Sequence, residues 1–392
     1  MLNNKLLFDN LNQYFLENNW KRNICDNCKN TFYTKKDLNT CGNLSCIKKY
    51  TFLDFPRKKG YSFIDDIKEN VYNFFKNKGY KIKGGQSIVN NLSKTLFIGA
   101  GVQTLDKIIF NEEEVISEPF FIAQPSIRTQ FMNDAGNVEG ISSSFVNVCT
   151  EEFTDSENKY IKHLDDWLSY LSNAGIFVGD ATITIKSKIK NWGKGDFDSF
   201  ISHLYYGGLD IGDISFNYNI PQKSRENLSV IDAGFGLERI CWAVNKTDSY
   251  FDCIGPLFDS IQGKSKIIDS VRTLVLMAGF GVVPSNKEQG YRFRQFSKIL
   301  SEKYPECKTD HLIDYYYNYW ENFSRFILTK EECKNTIQTE IDRNFILDLS
   351  KYLEAKPILR GDTENFLKDL INHGYHFHKM KNKLSNYRKW IL

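Results

Sequence analysis

Long apolar runs are missing from this sequence. No stretch approaches the roughly 18 consecutive apolar residues that a membrane-crossing helix needs. The opening Met1-Leu-Asn-Asn-Lys leads into amphipathic sequence rather than an apolar signal core. Membrane and secretory roles are therefore not expected. A charge of one sign is missing too. The 51 Lys and Arg against 48 Asp and Glu leave +3, so any surface for an acidic partner must be local. No internal repeat and no long linker interrupts the chain. What is there suits a globular protein: 392 residues, 41% apolar and 25% charged, enough for two or three cores. Nine cysteines without a secretory signal point to a reducing compartment, and the expected location is cytoplasmic.

Four of those cysteines are grouped. Cys25-Asp-Asn-Cys28 is followed, twelve residues on, by Cys41-Gly-Asn-Leu-Ser-Cys46. Two thiolate pairs about a hairpin-length insert fit a tetrahedral four-sulfur Zn²⁺ site. Gly42 is expected to bend the second turn so that backbone amides approach the sulfurs. Such a closed site is structural.

Beyond about residue 60 helical and strand periods alternate. Ile64, Ile67, Val71 and Phe74–Phe75 repeat at helical spacing, whereas Ile183, Ile185 and Ile189 alternate as in a strand. From Leu209 to Asn219 a strand sorts Asp213, Ser215, Asn217 and Asn219 onto one face, and Ile214, Phe216 and Tyr218 onto the other. The polar row suits either a solvated outer face or the floor of a polar substrate site. From about 256 the pattern is helical, with one stripe through Ile267, Ile268, Val271, Leu274, Val275 and Ala278, and another through Ile337, Ile341, Phe345 and Leu349. The last fifteen residues carry five positive side chains and no acid, either a solvated helix end or a phosphate contact. The expected divisions are 1–58 for the four-Cys element, 59–255 for a catalytic domain and 256–392 for a helical domain.

Two segments carry chemistry. In Val230-Ile-Asp-Ala-Gly-Phe-Gly-Leu-Glu-Arg-Ile-Cys-Trp242 an apolar strand runs into Gly234 and Gly236, then into a helix with Glu238 and Arg239. Glycines at a strand-to-helix junction let a flat ligand or a phosphate lie against backbone. An Arg one turn into the helix can fork onto a triphosphate. Asp232 ends the strand, where it could hold an ammonium group. In Phe120-Phe-Ile-Ala-Gln-Pro-Ser-Ile-Arg-Thr-Gln130 a strand ends in Arg128, a polar loop follows to Gly140, and a second strand runs from about Ser143 to Phe153.

Gly-Phe-Gly-Leu-Glu-Arg239 resembles motif 3 of the class II aminoacyl-tRNA synthetases, and the strand, loop and strand about Arg128 resembles motif 2. Gln-Pro-Ser-Ile-Arg128, Trp192, Gly208-Leu-Asp-Ile, Asp232 to Arg239, and Gly281-Val-Val-Pro-Ser-Asn286 followed by Gly290-Tyr fall in the order found in alanyl-tRNA synthetase. The cysteine pattern is similar to that of the archaeal-type enzyme. The resemblance runs from about residue 14 to about 375. It implies an α+β fold, a class II antiparallel sheet flanked by helices, with a small N-terminal zinc element and a C-terminal helical domain that reads a tRNA acceptor stem. It also implies two-step chemistry with ATP, Mg²⁺ and a small amino acid: an aminoacyl-adenylate forms, and its acyl group passes to a tRNA 3′ end. Arg128 and Arg239 would converge on one nucleotide, with Gln130 and Gly236 beside it. Asp232 would grip the amino group, with Asp213 and Gly234 in the same pocket. Trp192 would wall the side-chain pocket, although a packed core indole explains it equally well. Asn286 matches the residue that reads the acceptor stem, and Arg292 and Arg294 sit beside it for phosphates.

The sequence departs from the family in three places. An Arg-His pair expected in the motif 2 loop gives way to Glu139-Gly-Ile-Ser-Ser-Ser-Phe145, and a following Glu becomes Val146. A Gly-Asn-Ala-Gly-Pro run after the Trp is replaced by Gly193-Lys-Gly-Asp-Phe-Asp-Ser-Phe200. Ile371-Asn-His373-Gly374 lacks the Asp that the family sets beside its late His-Gly. The His-x-x-x-His and Cys-x-x-x-His of an editing domain are also absent, and His373, His376 and His378 belong to the basic tail. A methyl-sized pocket rejects glycine or serine by only about 1–3 kcal/mol. Such a chain is expected to work with a separate editing protein or to serve something other than translation. Three readings follow: a minimal alanyl-type synthetase, a specialised paralogue that activates an amino acid for a biosynthetic pathway or carrier, and a non-catalytic tRNA-binding paralogue.

Overall fold

The alternating segments become a sheet. Its strands among the described residues are β1 (Lys21–Ile24), β2 (Thr31–Thr34), β3 (Lys81–Lys83), β4 (Phe120–Ile127), β5 (Ser144–Phe153), β6 (Ala181–Trp192), β7 (Gly195–Tyr206), β8 (Leu209–Ile220) and β9 (Leu228–Gly236). They join in the order β1-β2-β6-β7-β8-β9-β5-β4-β3. β3 and β4 run parallel. The pairs from β1 through β2, β6, β7, β8 and β9 to β5 are antiparallel. This computed structural model describes residues 4–57, 60–90, 92, 95–255, 264–302, 309–352 and 368. The chain forms two compact units, Met1–Ile127 with Phe145–Gly255, and Arg128–Ser144 with Pro256–Leu392.

In the first unit the period of two gives the sheet two unlike faces. Phe235 on β9 and Phe216 on β8 point to one side, where helix Glu157–Ala174 covers them. Trp167 stacks on Phe235 with ring centroids 4.0 Å apart, and Tyr160 stacks on Phe216 at 5.8 Å. Helix Ile64–Asn77 buries Ile64, Ile67, Val71 and Phe75, the stripe read from the sequence, and Phe75 stacks on Phe121 of β4 at 5.2 Å. Each such aromatic pair adds about 0.5–1.5 kcal/mol beyond its buried area. The other face carries Asn147, Cys149 and Glu151 of β5 and Asp232 and Gly234 of β9, continued by Asp213, Ser215 and Asn217 of β8 through the strand register.

The polar row of Leu209–Asn219 is unevenly buried. Ser215 and Asn217 are 1% and 3% exposed, so the middle of the row is enclosed, whereas the Asp213 side chain is 41% exposed and Asn219 lies past a register shift. The β6 pattern holds only at one end: Ile183 is buried, whereas Ile189 is 75% exposed near the tip of the β6–β7 hairpin. The four-Cys element is not a separate body. The β1–β2 hairpin extends the sheet by pairing β2 with β6.

The second unit is helical. Helix Lys264–Gly279 packs against Glu288–Ser301, Asp310–Glu321 and Lys330–Tyr352. Its predicted stripe is buried, as are Ile337, Ile341 and Phe345 of the last helix; the side chain of Leu349 lies outside the described residues. Arg272 is fully buried, its guanidinium 4.6 Å from the Trp320 ring centre and bonded to the Tyr319 hydroxyl at 3.1 Å. The basic C-terminal run, the three late histidines and Ile371-Asn-His373-Gly374 lie outside the described residues. The result is a mixed α+β chain with a mostly antiparallel sheet flanked by helices. None of the described helices is long and apolar enough to cross a membrane.

Candidate active site and metal centre

The four thiols meet. Cys25 follows β1, and Cys28, Cys41 and Cys46 close round it with all four sulfurs within 4.8 Å of one another. Cys28 Sγ–Cys41 Sγ and Cys41 Sγ–Cys46 Sγ are both 3.7 Å apart. Tetrahedral Zn–S bonds of about 2.3 Å set sulfurs about 3.8 Å apart, so the cluster is compatible with zinc. Burial works against ionising Cys25, but backbone N–H groups of Cys28, Cys41 and Asn27 outweigh it and bring the thiol down to about 6. Gly42 has φ +74°, and a Cβ there would stand 2.3 Å from Thr182 Oγ1. The same hydroxyl donates to the Cys41 carbonyl at 2.6 Å, which ties the element to β6.

The strand-to-helix turn is as the sequence indicated. β9 ends at Gly236 and helix Leu237–Asn245 begins at once. Arg239, third in that helix, donates from Nη1 to the Asp210 carbonyl at 2.7 Å and lies 3.9 Å from the Asp210 carboxylate. Glu238 turns inward. It is fully buried and accepts the Val146 N–H at 2.9 Å. The position where the family carries a Glu thus has its backbone held by a Glu from the neighbouring motif. Gly234 faces Asn147, whose side chain bridges the Gly101 N–H (2.8 Å) and the Phe235 carbonyl (3.2 Å). Asp213 accepts from Ser215 Oγ at 3.3 Å and lies 3.9 Å from His203.

Trp192 is half-buried and its indole N–H donates to Asp106 at 2.8 Å. Asn90 holds the other carboxylate oxygen. Burial raises the Asp106 carboxyl to about 6, against the opposing pull of these two donors. Asp106 also lines a cavity of about 590 Å³ with Gln86, Asn90, Ile98, Gln103 and Thr104. Trp192 packs on the apolar cluster, and its indole N–H meets Asp106, which lines that cavity.

Arg128 and Gln130 belong to the second unit, whereas Arg239, Asp232 and Trp192 belong to the first. The loop after Arg128 closes on itself and on helix Lys264–Gly279. Arg128 N–H donates to Ser143 O at 2.8 Å. Asp269 accepts both the N–H and the hydroxyl of Ser143, at 2.6 and 2.7 Å. Lys266 caps the carbonyls of Met132 and Ala135. Gly136, at φ +78°, admits no side chain, since its Cβ would meet the Lys266 backbone at 2.6 Å. In the same unit Arg294 is bonded to Asn286 and pairs with Glu340 at 3.2 Å, and Arg292 bonds Gln295 at 2.7 Å. Arg294 is thus tied within the helical unit and is less ready for a phosphate than its position in the sequence implied.

Sequence reasoning passed over Cys149, Glu151 and Asp106. The signal for Glu151 was present: two adjacent acids inside a strand must face opposite ways, and one helix can satisfy only one of them. Glu152 is that one, held by Lys159 and by His163 at 3.1 Å.

No protein-family model matches the chain. Over 441 residues it is 22% identical to alanine–tRNA ligase of Sulfurisphaera tokodaii, covering 92% of this chain and 47% of that relative. Over 316 residues it is 22% identical to alanine–tRNA ligase of Thermoplasma acidophilum, covering 76% and 35%. Among solved structures, pyrrolysyl-tRNA synthetase from Desulfitobacterium hafniense matches 50% of this chain and 75% of that one, at 13% identity and a TM-score of 0.34. The chain spans about half the length of the curated relatives it matches. It is similar to the class II aminoacyl-tRNA synthetases. Most of its length is similar to alanine–tRNA ligases.

Proposed function

We propose that this chain activates alanine or a small related amino acid with ATP and transfers it to a tRNA 3′ end. One observation carries the reading: Asp232 and Gly234 lie on a half-buried polar sheet face that runs directly into a glycine-led helix bearing Arg239. In the first step the amino-acid carboxylate attacks the α-phosphorus, and pyrophosphate leaves. In the second a tRNA 3′-terminal hydroxyl attacks the acyl carbon, and AMP leaves. The first step needs no general base, because the carboxylate is already a nucleophile, so alignment and charge stabilisation do the work. Arg239 and Arg128 would spread the developing phosphate charge, with Gln130 and Gly236 beside the nucleotide. Asp232 would hold the amino end, with Asp213 on the same floor. Mg²⁺ brought with ATP would neutralise phosphate oxygens. Asn286, with Arg292, would contact the acceptor stem.

Glu151, an acid on the pocket floor, and the replaced turn after Trp192 favour a second reading, a specialised paralogue that delivers its amino acid to a carrier or biosynthetic pathway. ATP–pyrophosphate exchange across the twenty amino acids, with and without total tRNA, separates the two. Exchange with alanine and acyl transfer to tRNA supports the first. Exchange without transfer supports the second, and no exchange with any amino acid defeats both. Arg239→Ala should lower exchange by on the order of 10²-fold or more, with the fold intact.

A further inference from the structure

Glu151 and Asp232 are directly opposite each other on β5 and β9, so their side chains emerge side by side on the polar face. Cys149 is two residues along β5 and shares that face. Two like charges opposed across a ladder are destabilising, and burial makes this worse. Glu151 and Cys149 are fully buried, and the one side chain Glu151 meets at hydrogen-bond range is a second acid, Asp232, with no N–H or hydroxyl donor on either oxygen. The cationic side chain that acts on Glu151 is Lys83, whose ammonium lies over the Phe120 ring, 3.8 Å from its centre. The contrast with adjacent Glu152, paired to Lys159 and His163 on the other face, is complete. A buried carboxylate without a donor, facing a second carboxylate, asks for a cation.

The third group says which kind. The donor atoms of Cys149, Glu151 and Asp232 all lie within 4.8 Å of one another. An ammonium group gains little from a sulfur, whereas a thiolate with two carboxylates is a borderline-soft donor set of the sort zinc takes. Gly101 leaves the room the sulfur needs: a Cβ there would stand 2.2 Å from Cys149 Sγ. We propose that Cys149, Glu151 and Asp232 form a second metal site, for Zn²⁺, with a fourth position open to the amino nitrogen of the substrate. Three protein ligands and one open position mark a working zinc site, in contrast to the closed four-sulfur cluster. Placing the amino nitrogen there rests on the amino-acid pocket proposed above; the metal site itself does not.

Metal content of the purified full chain tests it. Dialysed protein should hold about two zinc ions per chain, one per site. Cys149→Ser and the near-isosteric Glu151→Gln should each fall to about one, with an unchanged melting temperature of the four-sulfur element, while Cys41→Ser should lose the other ion. Cobalt-loaded wild type should show thiolate charge-transfer absorbance that partly disappears in Cys149→Ser. About one ion in the wild type, unchanged in both Cys149→Ser and Glu151→Gln, overturns the assignment. A chain with about two ions that fails to activate any amino acid keeps the metal site and defeats the functional reading instead.

Discussion

Asp106 shows how one carboxyl can report on the site. Its ordinary value of 3.8 is raised to about 6 by burial. A carboxyl raised on folding favours the folded state fully at pH values below the unfolded pKa. That contribution fades as pH rises through about 4 to 6 and is gone above it. Because Asp106 accepts the Trp192 indole N–H, its ionisation should alter the emission of that indole. A fluorescence titration is expected to show a component with a midpoint near 6, removed by Asp106→Asn and by Trp192→Phe. A component that survives either change would refute the assignment. Glu238 makes a second prediction. Glu238→Ala leaves the buried Val146 N–H without an acceptor and should destabilise the first unit by about 1–3 kcal/mol in urea unfolding, with Glu238→Gln well below that. A null effect of the alanine variant would show that water replaces the carboxylate.

At the scale of elements, what the sequence made legible was periodicity and punctuation. The Ile64–Asn77 helix, the strand pair flanking Arg128 and the β9-to-helix turn were readable because a spacing or a glycine marks each. Burial was less legible. Alternation says that Ser215 and Asn217 share a face, but only the neighbouring strands determine whether that face sees water. Ile189 failed for the converse reason: its hairpin tip runs out from under the layers that bury Ile183. The four-Cys element was legible in full, since its ligands are local in sequence. Its joining to the sheet through β2 and β6 was not, because that pairing spans more than a hundred residues. With zinc on the four sulfurs, its chelation should therefore raise amide hydrogen exchange across residues 21–46 and in the paired stretch of β6, Thr182–Thr184, before other strands respond, and zinc-free protein should show no such change. Exchange that rises evenly over the sheet would contradict this.

For the whole molecule, the expected tRNA contacts fall in one compact unit, while the expected activation residues are shared, with Arg128 and Gln130 in the second unit and the rest in the first. Asp232, Gly234 and Arg239 lie in the first, and Asn286, Arg292 and Arg294 in the second. The loop after Arg128 crosses that division in sequence, since residues 128–144 cluster with the helices while β4 and most of β5 belong to the sheet. No local pattern announces this, because it depends on Lys266, Asp269 and the bare Gly136 more than a hundred residues apart. If Asn286 serves acceptor-stem reading and takes no part in activation, one substitution should separate the two activities. Asn286→Asp keeps the oxygen that Arg294 holds and deletes the amide donor that could contact a base edge or ribose. Acyl transfer to tRNA should fall roughly tenfold, the scale of one lost recognition hydrogen bond, while ATP–pyrophosphate exchange is unaltered. Equal loss of both activities would mean that the substitution perturbs the fold. Transfer unchanged by Asn286→Asp would remove this residue from tRNA recognition.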